Sequence, residues 1–289
     1  MNILITGATG FTGSFVTTRL LERPSTHVRC FVRRDSDLGS IPVHEVELAY
    51  GDLNRPETLA QALRSVDVLV NIASLGFGHA PTIVNAAQIA GVKRSVFIST
   101  TAIFTTLNAS SKSIRLAAEH SIQTSNLEYT ILRPTMIYGT SRDRNMVRLI
   151  RYIQRWPVIP VFGDGNYLQQ PVYVDDLVKA IIAVIDAPKT IRKSYNIPGK
   201  EPISYNQLIH TVCKALCRSI KIIHIPASLV VRCLQMTEKL KIRLPIKSEQ
   251  VLRLNENKIF SYQDALNDFN YQPIEFSEGI RREIQSLEV

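Results

Sequence analysis

Residues Thr6-Gly7-Ala8-Thr9-Gly10-Phe11-Thr12-Gly13 carry the clearest chemistry in the chain. The apolar run Ile3-Leu4-Ile5 precedes them and helical spacing runs from Phe11 to Leu21, so the glycines fall between a strand and a helix. In that setting Gly7 permits a tight turn, Gly10 lets the backbone approach a diphosphate, and Gly13 lets the helix pack closely on the strand. The opening helical turn offers free N–H groups and the positive end of its dipole to an anion, with Thr9, Phe11 and Thr12 completing the segment. A second candidate follows the next strand, where Phe31-Val32 runs into Arg33-Arg34. In dinucleotide sheets an acid at that place bonds the ribose 2′-OH, whereas arginine accommodates a 2′-phosphate. The nearest acid, Asp35, lies past it. Guanidinium forks suit a dianion through paired, charge-assisted bonds, so NADP(H) is the expected coenzyme, ahead of NAD(H).

Other chemistries find little support. The six histidines are scattered without metal-ligand spacing, and no metal site is expected. His79 follows the glycine-rich stretch Leu75-Gly76-Phe77-Gly78, where substrate and nicotinamide would meet in this topology. The four cysteines show no CxxC pair and read as reduced thiols in a cytoplasmic setting. No apolar run approaches the ~20 residues of a membrane span.

The net charge of +9 is uneven: residues 1–135 hold 12 Lys/Arg against 10 Asp/Glu, and residues 136–289 hold 22 against 15. Arg144, Arg148, Arg151 and Arg155 fall on one helical face, and residues 214–258 hold ten Lys/Arg against three Asp/Glu. A solvated basic face, a clamp for a phosphorylated or lipid-pyrophosphate substrate, and peripheral contact with an anionic membrane all fit that pattern. Nucleic-acid binding does not, because no DNA-reading motif or aromatic-interleaved basic patch is present.

The elements that must position these residues alternate. Strand patterns over 3–6, 27–32, 43–50, 66–72, 95–99 and 129–132 are separated by helical patterns over 11–21, 56–63, 82–90 and 113–122. Alternation of this kind predicts an α/β fold, a doubly wound parallel sheet covered on both faces. Beyond Pro134 the spacing predicts a helix over 143–156, a Pro/Gly-rich loop over 157–165, and a strand and helix over 172–185 that rejoin the sheet. Helices over 206–217, 227–240 and 276–286 surround one strand at 221–225. The division expected is 1–137 with 171–197 as the Rossmann domain, and 138–170 with 198–289 as a smaller substrate-binding lobe.

The GxxGxxG spacing within TGATGFTG resembles the extended and atypical short-chain dehydrogenase/reductase superfamily, its epimerase/dehydratase-like and NmrA-like branches. Gly51-Asp52-Leu53, Ala90-Gly91-Val92-Lys93-Arg94, Leu132-Arg133-Pro134-Thr135-Met136-Ile137-Tyr138-Gly139, Val172-Tyr173-Val174-Asp175-Asp176-Leu177 and Tyr195-Asn196-Ile197-Pro198-Gly199 are similar to its landmarks, in order, along almost the whole chain. The resemblance implies coenzyme contacts at Asp52, Leu53, Ala73, Pro134 and Met136.

Active members pair a Ser/Thr hydroxyl after the fifth strand with Tyr-x-x-x-Lys on the next helix, the lysine lowering the phenol pKa for proton exchange. Here Thr100 or Thr101 supplies the hydroxyl and would orient the reacting oxygen, and Lys112 would hold the ribose. The tyrosine is missing: Lys112 has Asn108 four residues earlier, and Arg115 in the alternative register has Ser111. Three readings stand: Lys112 or Arg115 holds the ribose alone, Tyr138 or Tyr173 reaches the substrate, or a dinucleotide is bound without redox chemistry. An NADP-dependent oxidoreductase or epimerase/dehydratase-like enzyme on a small or sugar-type substrate therefore competes with an inactive sensor or assembly protein. The Gln-Pro-Val-Tyr-Val-Asp-Asp run is similar to the branch that includes an accessory subunit of respiratory complex I.

Overall fold

The computed structural model describes residues 1–107, 110–240 and 247–287. In chain order the first half runs β1 (Asn2–Thr6), α1 (Phe11–Leu21), β2 (His27–Val32), β3 (Glu47–Tyr50), α2 (Pro56–Ala62), β4 (Val68–Asn71), α3 (Ala80–Ile89), β5 (Arg94–Ile98), α4 (Ser110–Gln123) and β6 (Tyr129–Pro134). The second half runs β7 (Ile137–Tyr138), α5 (Met146–Arg155), β8 (Val158–Phe162), β9 (Leu168–Gln169), β10 (Val172–Tyr173), α6 (Val174–Ile185) and β11 (Lys193–Ile197), followed by β12 (Ile203–Ser204), α7 (Tyr205–Ala215), β13 (Lys221–Ile225), α8 (Ala227–Lys239), α9 (Ser248–Leu254), α10 (Gln263–Phe269) and α11 (Phe276–Leu287).

Seven strands form one sheet in the order β11-β6-β5-β4-β1-β2-β3, every neighbouring pair parallel. This is the expected doubly wound sheet, its order reversing beside β1. Alternation along β1 shows why both faces must be covered. Ile3 and Ile5 join one core with Val16 and Leu20 of α1 and Leu177 and Ile181 of α6. Leu4 joins the opposite core with Leu59 of α2, Ile83 of α3 and Ile122 of α4. A third core, built from elements after β6, gathers Tyr138, Ile150, Ile159, Leu208 and Ile284.

Two elements depart from the expected pattern. Residues 157–165, expected as a loop, contain β8, which pairs in parallel with β13. Buried Ile159 and Val161 alternate with exposed Pro160 along it, and a proline is tolerated on an edge strand whose N–H side needs no partner. The strand near 172 does not rejoin the main sheet. It pairs with β7, and the seventh strand is Lys193–Ile197, in register with β6 from Thr130 to Pro134.

Candidate functional site

The loop between β1 and α1 is shaped by close backbone approach. Gly7 has φ +73°, and a Cβ there would lie 2.7 Å from the Ala73 nitrogen; one on Gly13 would lie 2.0 Å from the Gly7 carbonyl oxygen. Gly10 is the N-cap of α1, with no side-chain cap and no acid in the first turn. Its own amide donates to the Gly7 carbonyl at 3.0 Å, while the Phe11 and Thr12 amides have no acceptor among the described residues. A helix end with bare amides and an uncompensated dipole is an anion site. Phe11 is anchored edge-on against Phe15 at 6.1 Å.

Arg142 closes over this loop from the segment between β7 and α5. Its guanidinium donates to the Ser14 hydroxyl and to the Thr9 carbonyl, both at 2.8 Å. It brings a cation to the helix opening that no motif in the sequence announced.

Arg33 and Arg34 follow the end of β2 and both are exposed. Arg33 pairs with Asp35 at 3.6 Å, whereas Arg34 makes no ion pair among the described residues. The Asp52 carboxyl is held below its usual range by the Asn54 amide, with Arg33 and His79 adding to the effect. His79, expected where substrate meets nicotinamide, is thus an electrostatic neighbour of Asp52 at the end of the β3 edge, on the N-cap of α3. Leu53 packs against the second core. The Ala73 amide faces the Thr6 hydroxyl at 3.5 Å.

A hollow of about 200 Å³ runs from Thr12 past Ile98, Ser99, Thr100 and Arg115 to Pro134 and Thr135. Met136 stays outside it, half-buried against the third core, with its carbonyl accepting from Val172 at 2.9 Å. The Thr100 hydroxyl accepts from the Ala102 amide at 3.2 Å, and the Thr101 hydroxyl donates to the Pro134 carbonyl at 3.3 Å. Ser99, not singled out in the sequence, donates to buried Glu119 at 2.5 Å. Glu119 is gripped in turn by Arg133 at 2.6–3.0 Å.

Lys112, expected to hold the ribose, does not reach the hollow. Its ammonium donates to the Thr105 carbonyl at 2.5 Å. The cation that lines the hollow is Arg115, three residues on, with Ser111 accepting from it at 3.0 Å. Burial and then nearby Arg253 pull the Arg115 pKa down. The pair at this spacing that meets the hollow is therefore Ser111-x-x-x-Arg115, with a hydroxyl four residues before the cation. Tyr138 and Tyr173 do not supply the missing phenol. Tyr138 is 1% exposed, its OH raised well above 10 by burial and by Glu283. Tyr173 meets it edge-on at 5.7 Å and lies under the Arg282 guanidinium at 5.9 Å.

A family model described as NAD(P)H-binding matches residues 7–153, and one described as the 3-beta hydroxysteroid dehydrogenase/isomerase family matches residues 108–226. The chain is 25% identical over 242 residues to a photosystem II assembly factor of Trieres chinensis, covering 80% of this chain and 74% of that protein. It is 23% identical over 321 residues to a 3-beta-hydroxysteroid dehydrogenase of Mycolicibacterium neoaurum, covering 94% and 87%. The solved structure of UDP-glucuronic acid 4-epimerase from Bacillus cereus in complex with NAD matches with a TM-score of 0.79 at 19% identity, over 100% of this chain and 99% of that one. That last likeness concerns the fold. Catalysts and an assembly factor thus share this architecture.

Proposed function

Because the chain belongs to the NAD(P)H-binding family, within the extended short-chain dehydrogenase/reductase superfamily, we propose that it binds NADP(H) and holds it without tyrosine-driven turnover. One observation carries the reading: among the residues lining the hollow there is no Tyr, His, Lys, Cys, Asp or Glu to exchange a proton with a substrate. General acid–base catalysis needs a titratable group within hydrogen-bond reach of the reacting oxygen.

The residues present fit the coenzyme. The Phe11 and Thr12 amides suit the diphosphate, with Arg142 beside them. Arg34 is the guanidinium free to take a 2′-phosphate. Arg115 faces the hollow where a nicotinamide ribose would lie. When bound, the coenzyme supplies hydride chemistry; the chain's own part is to seat the dinucleotide and to cap its exposed end. This reading is supported by the assembly role that the name of the Trieres chinensis relative carries.

The test is NADPH consumption by purified protein against a panel of aldehydes and ketones, together with product analysis on sugar nucleotides, since an epimerase or dehydratase returns its hydride and consumes no coenzyme, both read beside coenzyme binding. The expected result is saturable binding with no consumption or product above background. Steady consumption or product would contradict it, and would favour a second reading supported by Ser99. That hydroxyl lines the hollow and touches Glu119, so it is a path from the hollow to a carboxylate. Loss of such turnover in Glu119→Gln would identify that path.

Two further outcomes are expected in calorimetric titration. Arg34→Ala should weaken NADPH binding about tenfold and leave NADH binding unchanged, since a charge-assisted bond is worth about 1.5–3 kcal/mol. Equal weakening of both would remove Arg34 from the 2′-phosphate. Arg142→Ala should weaken both coenzymes alike, by about fivefold to tenfold.

A further inference from the structure

Arg19, Arg23, Arg29, Lys93, Arg133, Lys179 and Lys193 each meet a carboxylate. The arginines of α5 do not. Arg148, Arg151 and Arg155 are exposed and make no ion pair among the described residues, and Arg144, just before the helix, is the same. The opposite side of α5 buries Met146, Val147, Ile150 and Ile153, so the arginine face is fixed outward by the packing of the third core.

Aromatic and further cationic side chains extend this face. Trp156, which ends α5, is 51% exposed and Tyr152 is 37% exposed. The Arg155 guanidinium lies over the Trp156 ring, 5.7 Å from its centroid. Arg218 reaches the Gln154 carbonyl, and the Lys221 amide donates to the Pro157 carbonyl at 2.8 Å. These bonds bring two more cations, with no ion pair among the described residues, beside the C-terminal end of the helix. Beside Lys221 on β13, Ile223 is 44% exposed and stands in register with exposed Pro160 of β8.

From this juxtaposition we propose that the outer face of α5, with Trp156, Arg218 and Lys221, is a docking surface for an anionic lipid bilayer. The charge is complementary to such a surface and no described carboxylate neutralises it. The aromatic side chains distinguish a bilayer from a merely acidic partner: Trp and Tyr settle at the headgroup level, with an apolar body below and a polar edge in water. Arginine stems lie along the interface while their heads reach phosphates. No described helix is long and apolar enough to cross a membrane, so the contact is peripheral. The surface is built on elements after β6, apart from the coenzyme loop, and does not depend on the function proposed above.

Co-sedimentation with vesicles tests it. The full chain should pellet with phosphatidylcholine vesicles containing phosphatidylglycerol at low salt, and not with pure phosphatidylcholine. Binding should disappear at 1 M salt, where the screening length falls to about 3 Å. Each arginine contributes about fivefold to the partition constant, so R148E/R151E/R155E should abolish pelleting, while R148K/R151K/R155K should retain it. Trp156→Ala should weaken it severalfold. The thermal unfolding midpoint serves as the measure of folding and should be unchanged in all three variants. Failure to pellet with anionic vesicles, pelleting that survives the glutamate variant, or tighter arginine-dependent binding to duplex DNA than to vesicles would each overturn the assignment.

Discussion

Replacing Gly10 with aspartate should abolish coenzyme binding while leaving the protein as stable as before, or slightly more so. The two effects have one origin. Gly10 caps α1 with no side chain, and its φ of −73° is open to any residue. Aspartate is among the best N-cap residues and would satisfy an orphan amide of the first turn, adding about 1 kcal/mol to the helix. A Cβ at this position meets the Gly7 carbonyl oxygen at 3.2 Å, tight enough to offset part of that gain. The same carboxylate would stand where a diphosphate must sit. Like charges brought together cost several kcal/mol, so affinity for NADPH and NADH should fall about a hundredfold or more. Thermal unfolding and titration calorimetry on one preparation separate the effects. Retained affinity would mean the amides do not face the diphosphate; lost affinity with a collapsed fold would mean the loop was merely broken.

Glu283→Gln should raise stability by about 3 kcal/mol near neutral pH and remove a pH dependence. Glu283 lies on α11 with no exposed surface, its carboxyl set against the Asp143 side chain and the Gly139 amide. Burial, and then Asp143 beside it, push its pKa from the usual 4.5 to about 10. Asp143 is partly committed elsewhere: one oxygen caps α5, accepting from the Asn145 and Met146 amides at 2.8 Å, while its side chain faces Glu283. A folded-state pKa above the unfolded one means that folding binds a proton. The group's contribution is therefore fully present below about pH 4.5 and is lost as pH rises toward about 10. The wild type should grow steadily less stable over that range in denaturant titrations. The glutamine variant should not, since its amide carries no charge and can donate to the Asp143 carboxylate. A variant less stable than wild type at pH 8 would show that the carboxylate is ionised and paired in the native state.

What the sequence disclosed divides along a physical line. The form of the glycine loop was readable because it is largely local: strand, turn and helix lie within about twenty residues, and Gly10 and Gly13 are required by approaches to the Gly7 carbonyl, although Gly7 itself meets distant Ala73. The seven-stranded sheet was readable for the same reason, through alternation of short strands with helices. Arg142 was not, because its partners Ser14 and Thr9 are 128 and 133 residues away and no period links them.

The choice between Lys112 and Arg115 was also out of reach. Three residues on a helix are about 60° apart around its axis, and the outcome was decided by the Thr105 carbonyl, which captures the lysine. Residues 157–165 looked like a loop because prolines and glycines punctuate them. Their partner β13 is distant in sequence, and pairing, not propensity, makes β8 a strand. The Glu283–Asp143 contact joins α11 to the cap of α5 and leaves no trace in composition.

A crystal grown with NADPH tests the central claim most directly. The account predicts the coenzyme's diphosphate within about 3 Å of the Phe11 and Thr12 amides, with the 2′-phosphate at Arg34 and Arg115 beside the nicotinamide ribose. A diphosphate bound elsewhere, or a crystal that takes up no coenzyme while Gly10 and the first turn of α1 keep the geometry described above, would contradict it.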